Sequence, residues 1–274
     1  MKLTKPILPS LFAPAPAILL AGLIPFLGGC NNESPVGGIS YTGDQQEQDA
    51  LNELAAIQEE HKDAIKMTEE GLVVDQEALD KTQKATAEIA DKIGGKRGQA
   101  LKVMAEFQAE SNKVSKEIGQ RGNQFLKMLD WDTLANEGDY ETRRKFMTEY
   151  AQYNRDVTAF FESAPDNISK RLDEINLQGR ERLGIERGFN SEFGPMLKLV
   201  RGIRQCEITC CEIGIRVITL LEKEQGKWSV NAATGSLEFE NDEAIAVFNK
   251  AINEFQIAGT RQAELQQQVL DSRR

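Results

Sequence analysis

The chain has 274 residues, with 33 Lys and Arg against 43 Asp and Glu, a net charge of −10 and a single histidine. So acidic a chain gains nothing from counterion release at nucleic-acid phosphates or from attraction to anionic lipid headgroups, which excludes both as partners through charge. Aromatics are 7% of the residues, a composition that suits helices joined along narrow seams better than a thick mixed core.

Residues 1–29 carry Lys2 and Lys5 and no acid, then an apolar run that ends in Leu27-Gly28-Gly29-Cys30. A cationic start, an apolar stretch and a small-residue cleavage site are the parts of an export leader. A membrane-spanning helix over residues 7–27 is disfavoured by Pro6, Pro9, Pro14, Pro16 and Pro25, each of which removes a backbone donor where lipid offers no replacement. The Leu-Gly-Gly-Cys box resembles that of bacterial lipoproteins. That resemblance implies cleavage between Gly29 and Cys30, acylation of Cys30 and no other cofactor. Asn31 stands where many inner-membrane lipoproteins carry Asp, so it further implies the outer membrane, facing the periplasm. Residues 30–43 are rich in Gly, Ser, Asn and Pro and read as a lipidated cysteine with a flexible tether that reaches on the order of 20 Å.

The rest, 44–274, reads as an all-α, elongated multi-helix bundle: a coiled-coil-like hairpin over 44–129, then a bundle over 139–274. From Asp44 to Lys92, Leu51, Ile65, Leu72, Leu79 and Ile93 share a seven-residue spacing. The companion positions are poorer, with His61, Thr68, Asp75 and Thr82 between Leu54 and Ile89. One long helix with a half-polar seam is expected, His61 and Asp75 fixing its register. Gly94-Gly95 ends it. A second helix carries Met104, Phe107, Ser111, Val114, Ile118, Arg121, Phe125 and Met128 at alternating spacings of three and four, and folds back on the first.

After a break at 130–138, a third helix places Phe146, Tyr150, Tyr153, Val157 and Phe160 on one stripe, read as core in preference to a ligand platform, and Pro165 stops it. A fourth stretch through Ile168 and Leu172 meets Gly194-Pro195, where a kink or loop is expected. The following helix is apolar on two stripes, Leu199, Ile203, Cys206, Cys210, Ile213, Val217, Leu220 and Val200, Ile208, Cys211, Ile215, Ile218, so it is expected at the centre. Alternation then marks a small β-hairpin near 227–239 around Trp228, Val230, Leu237 and Phe239. Asn241 caps a last helix through Ile245, Phe248, Ile252 and Phe255, and its Gln-rich end, Gln262 and Gln266 to Gln268, is expected to fray. With Phe248-Asn249 following the hairpin, residues 189–268 also resemble uncharacterised helical lipoproteins of proteobacteria, a likeness that implies no activity.

Cys206, Cys210 and Cys211 are the remaining chemistry. Their places on the apolar stripes read as small buried hydrophobes; a redox pair or an intermolecular bridge is the second reading and a soft metal site the third. A zinc site wants four ligands and the one histidine lies on another helix, so no metal is assigned. No Gly-x-Ser-x-Gly elbow and no phosphate loop is present, and the paired carboxylates read as solvated helix faces, so the chain is expected not to be an enzyme. Two functions remain: a lipid-anchored protein that engages an envelope protein partner, or a carrier or sensor that holds a small apolar ligand in a cavity lined by Ile203, Cys206, Cys210 and Phe239, beside the Trp228 hairpin. The heptads fit a coiled-coil homo-oligomer as well as an intramolecular bundle.

Overall fold

The computed structural model describes residues 45–60, 65–68, 71–231 and 236–272. Among them are eight helices: α1 Gln45–Glu60, α2 Gln76–Ile93, α3 Gly95–Met128, α4 Trp131–Glu137, α5 Tyr140–Glu162, α6 Ala164–Glu174, α7 Gly179–Lys223 and α8 Asp242–Asp271. Two antiparallel hairpins interrupt them, β1 Ile65–Thr68 with β2 Gly71–Val74, and β3 Trp228–Val230 with β4 Leu237–Phe239. The protein is an all-α helical bundle with small β-hairpins. Leader, Gly29, Cys30, tether and His61 lie outside the described residues.

The single helix expected from 44 to 92 is corrected to α1, a hairpin and α2. Ile65 and Leu72, read as one seam seven residues apart, belong to facing strands, with Ile65 opposite Val74 and Met67 opposite Leu72. Two causes are visible in the sequence. Val73-Val74 is β-branched and stiff in a helix, and Asp75 starts a new one, its Oδ1 accepting from the Ala78 N–H at 3.0 Å. Asp75 is therefore a helix cap and not a polar seam residue. In α2 the buried hydroxyls of Thr82 and Thr86 donate to the carbonyls of Ala78 and Thr82, which removes most of the cost of a polar seam.

Gly94, at φ 65°, ends α2, and α3 begins at once with Gly95. The turn brings the two helices so close that a Cβ on Gly98 would run into the Ala90 carbonyl oxygen. Ala50 and Leu54 of α1 close over Ile89, Ala90 and Leu101 there. Within residues 130–138, expected as a break, α4 forms after Asp130, which accepts from the Thr133 N–H at 3.4 Å and from the Thr133 hydroxyl at 2.7 Å. Pro165 does not so much stop α5 as start α6, where it occupies the first turn and needs no donor.

No break occurs at Phe193 to Pro195: α7 runs through Pro195 without interruption. Phe189 and Phe193, both 1% exposed, pin the helix from its inner side. Residues 190–192, 194 and 195 are exposed, so water can reach the carbonyl that Pro195 leaves without a partner. The far end of α8 is also corrected. It remains helical to Asp271, and Gln262 and Gln266 are buried while Gln267 and Gln268 are exposed.

The chain forms two compact units, and the division runs along helices instead of between them. Of the described residues, one unit takes Ile118–Thr158 and Leu199–Gln268, the other 45–117, Ala159–Lys198 and 269–272. In the first, Met147, Cys210, Cys211, Val217, Leu221 and Phe255 are among the most buried core residues, as the two apolar stripes of α7 predict. Gly214 lets α5 approach α7, since a Cβ there would sit 2.5 Å from Met147 Sδ. In the second, Phe107 packs on Phe160, Phe189 and Phe193 with ring centroids 5.7–6.1 Å apart.

A buried ion pair and three thiols on the central helix

The most concentrated chemistry in the described residues lies in the first unit, on α7. Arg204 and Glu207 are three residues apart on one helix face, with side chains 2% and 6% exposed, and Arg204 Nη1 donates to Glu207 Oε2 at 2.9 Å. Two further helices complete the cluster. From α5, the Tyr150 hydroxyl donates to the same Glu207 oxygen at 2.9 Å, and Asn154 Oδ1 accepts from Arg204 Nη1 at 3.1 Å. From α8, Gln262 Nε2 donates to Glu207 Oε1 at 3.2 Å. Asn154 is itself fixed, one turn beyond Tyr150, by donating to the Tyr150 carbonyl at 2.9 Å.

An ionised carboxylate needs several donors once water is removed, and Glu207 has three side chains aimed at it. Burial still dominates. It pushes the Glu207 carboxyl above its usual range against the pull of Arg204 and the hydrogen bonds. Burial likewise holds the Tyr150 hydroxyl well above its ordinary value, with the Glu207 charge adding to the rise, so Tyr150 stays a donor. Gln262 Oε1 is buried without a hydrogen-bond partner. The ring of Tyr150 is wedged between Phe125 and Phe146, at 5.9 and 6.0 Å.

The three cysteines adjoin this cluster. All are buried and unbridged. Burial raises the Cys210 and Cys211 thiols far above their ordinary range, with Cys211 and Glu207 respectively adding to it, and raises Cys206 as well. Thiols kept protonated are poor nucleophiles, so this geometry favours the reading as small buried hydrophobes over a redox pair. Among the described residues no group of three His, Cys, Asp or Glu side chains is placed to hold a metal ion.

Trp228 and Cys206, which the carrier reading sets on two sides of one ligand, belong to different levels of α7. Trp228 is tied to the end of α7, its Nε1 donating to the Leu221 carbonyl at 2.8 Å. Leu221 lies fifteen residues beyond Cys206 on the same continuous helix, about 22 Å at the helical rise. Phe239 packs on Phe248, at 5.4 Å. Ile203, Cys206 and Cys210 are together on α7, buried to 3%, 9% and 1% exposure, and a Cβ on the neighbouring Gly202 would stand 2.8 Å from Leu265 Cδ1.

Tyr150 was the only member of the cluster singled out by periodicity, and as core. Arg204 and Glu207 fall beside the apolar stripes, and a charged pair three apart on a helix that is apolar on two faces is the signal that could have found them. Tyr153, read with Tyr150 as core, is half-buried against that core and also lies under Arg121, whose guanidinium carbon is 4.5 Å from the ring centroid.

These features make the chain an all-α helical protein with a buried ion-pair cluster in its first unit. No protein-family model, curated protein or solved structure matches the chain.

Proposed function

We propose that the chain is a lipid-anchored protein of the bacterial cell envelope, held in the outer membrane facing the periplasm by acyl chains on Cys30, whose helical body engages another envelope protein and performs no chemistry of its own. One observation carries the reading: Leu27-Gly28-Gly29-Cys30 closes an apolar, proline-rich leader and is followed by a Gly- and Ser-rich stretch before the first helix. Several buried methylenes at about 0.8 kcal/mol each make a multi-chain anchor stable. The body supports a binding role by its architecture, a bundle of up to 45-residue helices.

Growth of expressing cells with an alkynyl palmitate tests the anchor. Label is expected on the unsubstituted protein, cleaved before Cys30, and lost in Cys30→Ala; equal label in both, or none in either, overturns it. Cross-linking in the same two strains tests the partner, expected as one discrete envelope protein recovered with the anchored chain and lost with Cys30→Ala.

A further inference from the structure

We propose that residues 179–195 of α7 form a flap, hinged at both ends, that swings off the second unit and uncovers the aromatic floor at Phe107. The segment is a poor helix by composition. It contains Gly179, Gly184, Gly188, Gly194 and Pro195, where glycine raises the entropic cost of helix formation and proline removes the donor that the Ser191 carbonyl would use. In residues 199–221 of the same helix, glycine occurs only at 202 and 214, and both are demanded by close contacts with Leu265 and Met147. Gly194 has no neighbour that would meet an added Cβ. Packing does not explain it, whereas a hinge does.

The other end is a second hinge. Asn176 and Gly179 adopt φ 52° and 69°, between α6 and α7. Between the hinges the flap is held from inside by Phe189 and Phe193, stacked on one another at 4.7 Å and edge-on to Phe107 at 5.7 and 6.1 Å. On its outer side it is held by ion pairs of Glu181 with Arg97 and of Arg182 with Asp173, solvent-accessible and so weak, and by Ser169, which donates to Glu186 and accepts from Arg182.

The stretch of α3 that follows Phe107 favours opening. Ser111, one turn beyond Phe107 on the same face of α3, is 0% exposed and its hydroxyl has no hydrogen-bond partner. Gln108 Oε1, Asn112 Nδ2 and Ser115 Oγ, along the same stretch of α3, are buried and unpartnered as well. Water admitted by an open flap would supply the bonds that the closed state leaves unmade. The flap uses none of residues 30–43, so it stands or falls separately from the anchor.

Ser111→Cys, a near-isosteric change, puts a reporter thiol one helical turn from Phe107, the residue that Phe189 and Phe193 cover. In the native full chain, methyl methanethiosulfonate should label position 111 at least about tenfold faster than Cys210, and Gly194→Ala with Pro195→Ala should slow that labelling by about tenfold or more. Labelling at 111 no faster than at Cys210, or indifferent to the hinge changes, overturns the flap. Hydrogen exchange on the unsubstituted chain gives the same decision without any variant: amides of 183–193 are expected to exchange together and well ahead of those of 206–218, and equal protection of the two stretches rules the flap out.

Discussion

Arg204 and Glu207 are worth little as an attraction and much as an obligation. Removing two charges from water costs about as much as their pairing returns, but removing one alone leaves the other buried and bare. Glu207→Ala should therefore lower the unfolding free energy by about 3–5 kcal/mol, whereas Arg204→Met with Glu207→Leu should recover most of that loss, as urea denaturation of the three proteins would measure. The pH dependence has a definite sign. Because burial raises the Glu207 carboxyl in the folded state, its contribution to stability is full below the ordinary value of 4.5 and is lost as the pH rises through the folded value. The stability of the natural chain relative to Glu207→Gln should thus fall as the pH is raised from about 4.5; a difference that grows with pH would mean that Arg204 and the hydrogen bonds outweigh burial. Little of this cluster could be read in advance. Periodicity finds apolar stripes, and it placed Tyr150 and the cysteines correctly in the core. It is blind to a charge pair beside the stripe, and it consigned Gln262 to a fraying end, although that glutamine is an anchor of α8 on Glu207.

Among the elements, the legible ones were those whose pattern has one interpretation. The alternation at Trp228, Val230, Leu237 and Phe239 gave a hairpin whose register pairs Trp228 with Phe239, and Asn241 caps α8 by accepting from the Ala244 N–H at 2.8 Å. The spacing of Ile65 and Leu72 has two interpretations, because residues seven apart fall on one face of a helix and can equally fall on facing strands. Helical period prevailed in the reading; β-branching at Val73-Val74 and the Asp75 cap prevailed in the fold. Glycine next to a helix end was read as a stop at Gly94-Gly95, and the same pair does more, since α3 leaves the turn pressed against α2. Gly98→Ala should cost about 1–3 kcal/mol, because the added methyl meets the fixed Ala90 carbonyl and not a movable side chain. Gly214→Ala, facing the flexible end of Met147, should cost less, and thermal unfolding of the two variants side by side would test the order.

At the scale of the whole molecule, fold class was legible because helical periodicity persists over most of 245 residues, and sequence distance hid the rest. Units assembled from 45–117 with 159–198, and from 118–158 with 199–268, interleave along the chain, and no local pattern announces such pairings. Charge is the property of the whole that bears on function. If the proposed leader and its two lysines are removed, 31 basic residues face 43 acidic ones, and the chain that remains is more negative than the full sequence. An anionic surface repels such a body, a repulsion that decays over a Debye length of about 8 Å at physiological salt. Acyl chains would then have to supply the membrane affinity unaided. The chain acylated at Cys30 should therefore sediment with phosphatidylglycerol vesicles with little dependence on salt, while Cys30→Ala stays in the supernatant from low to high ionic strength. Binding of Cys30→Ala that weakens as salt is added would reveal a basic surface hidden by the net charge, and would move the membrane contact from the lipid to the helices.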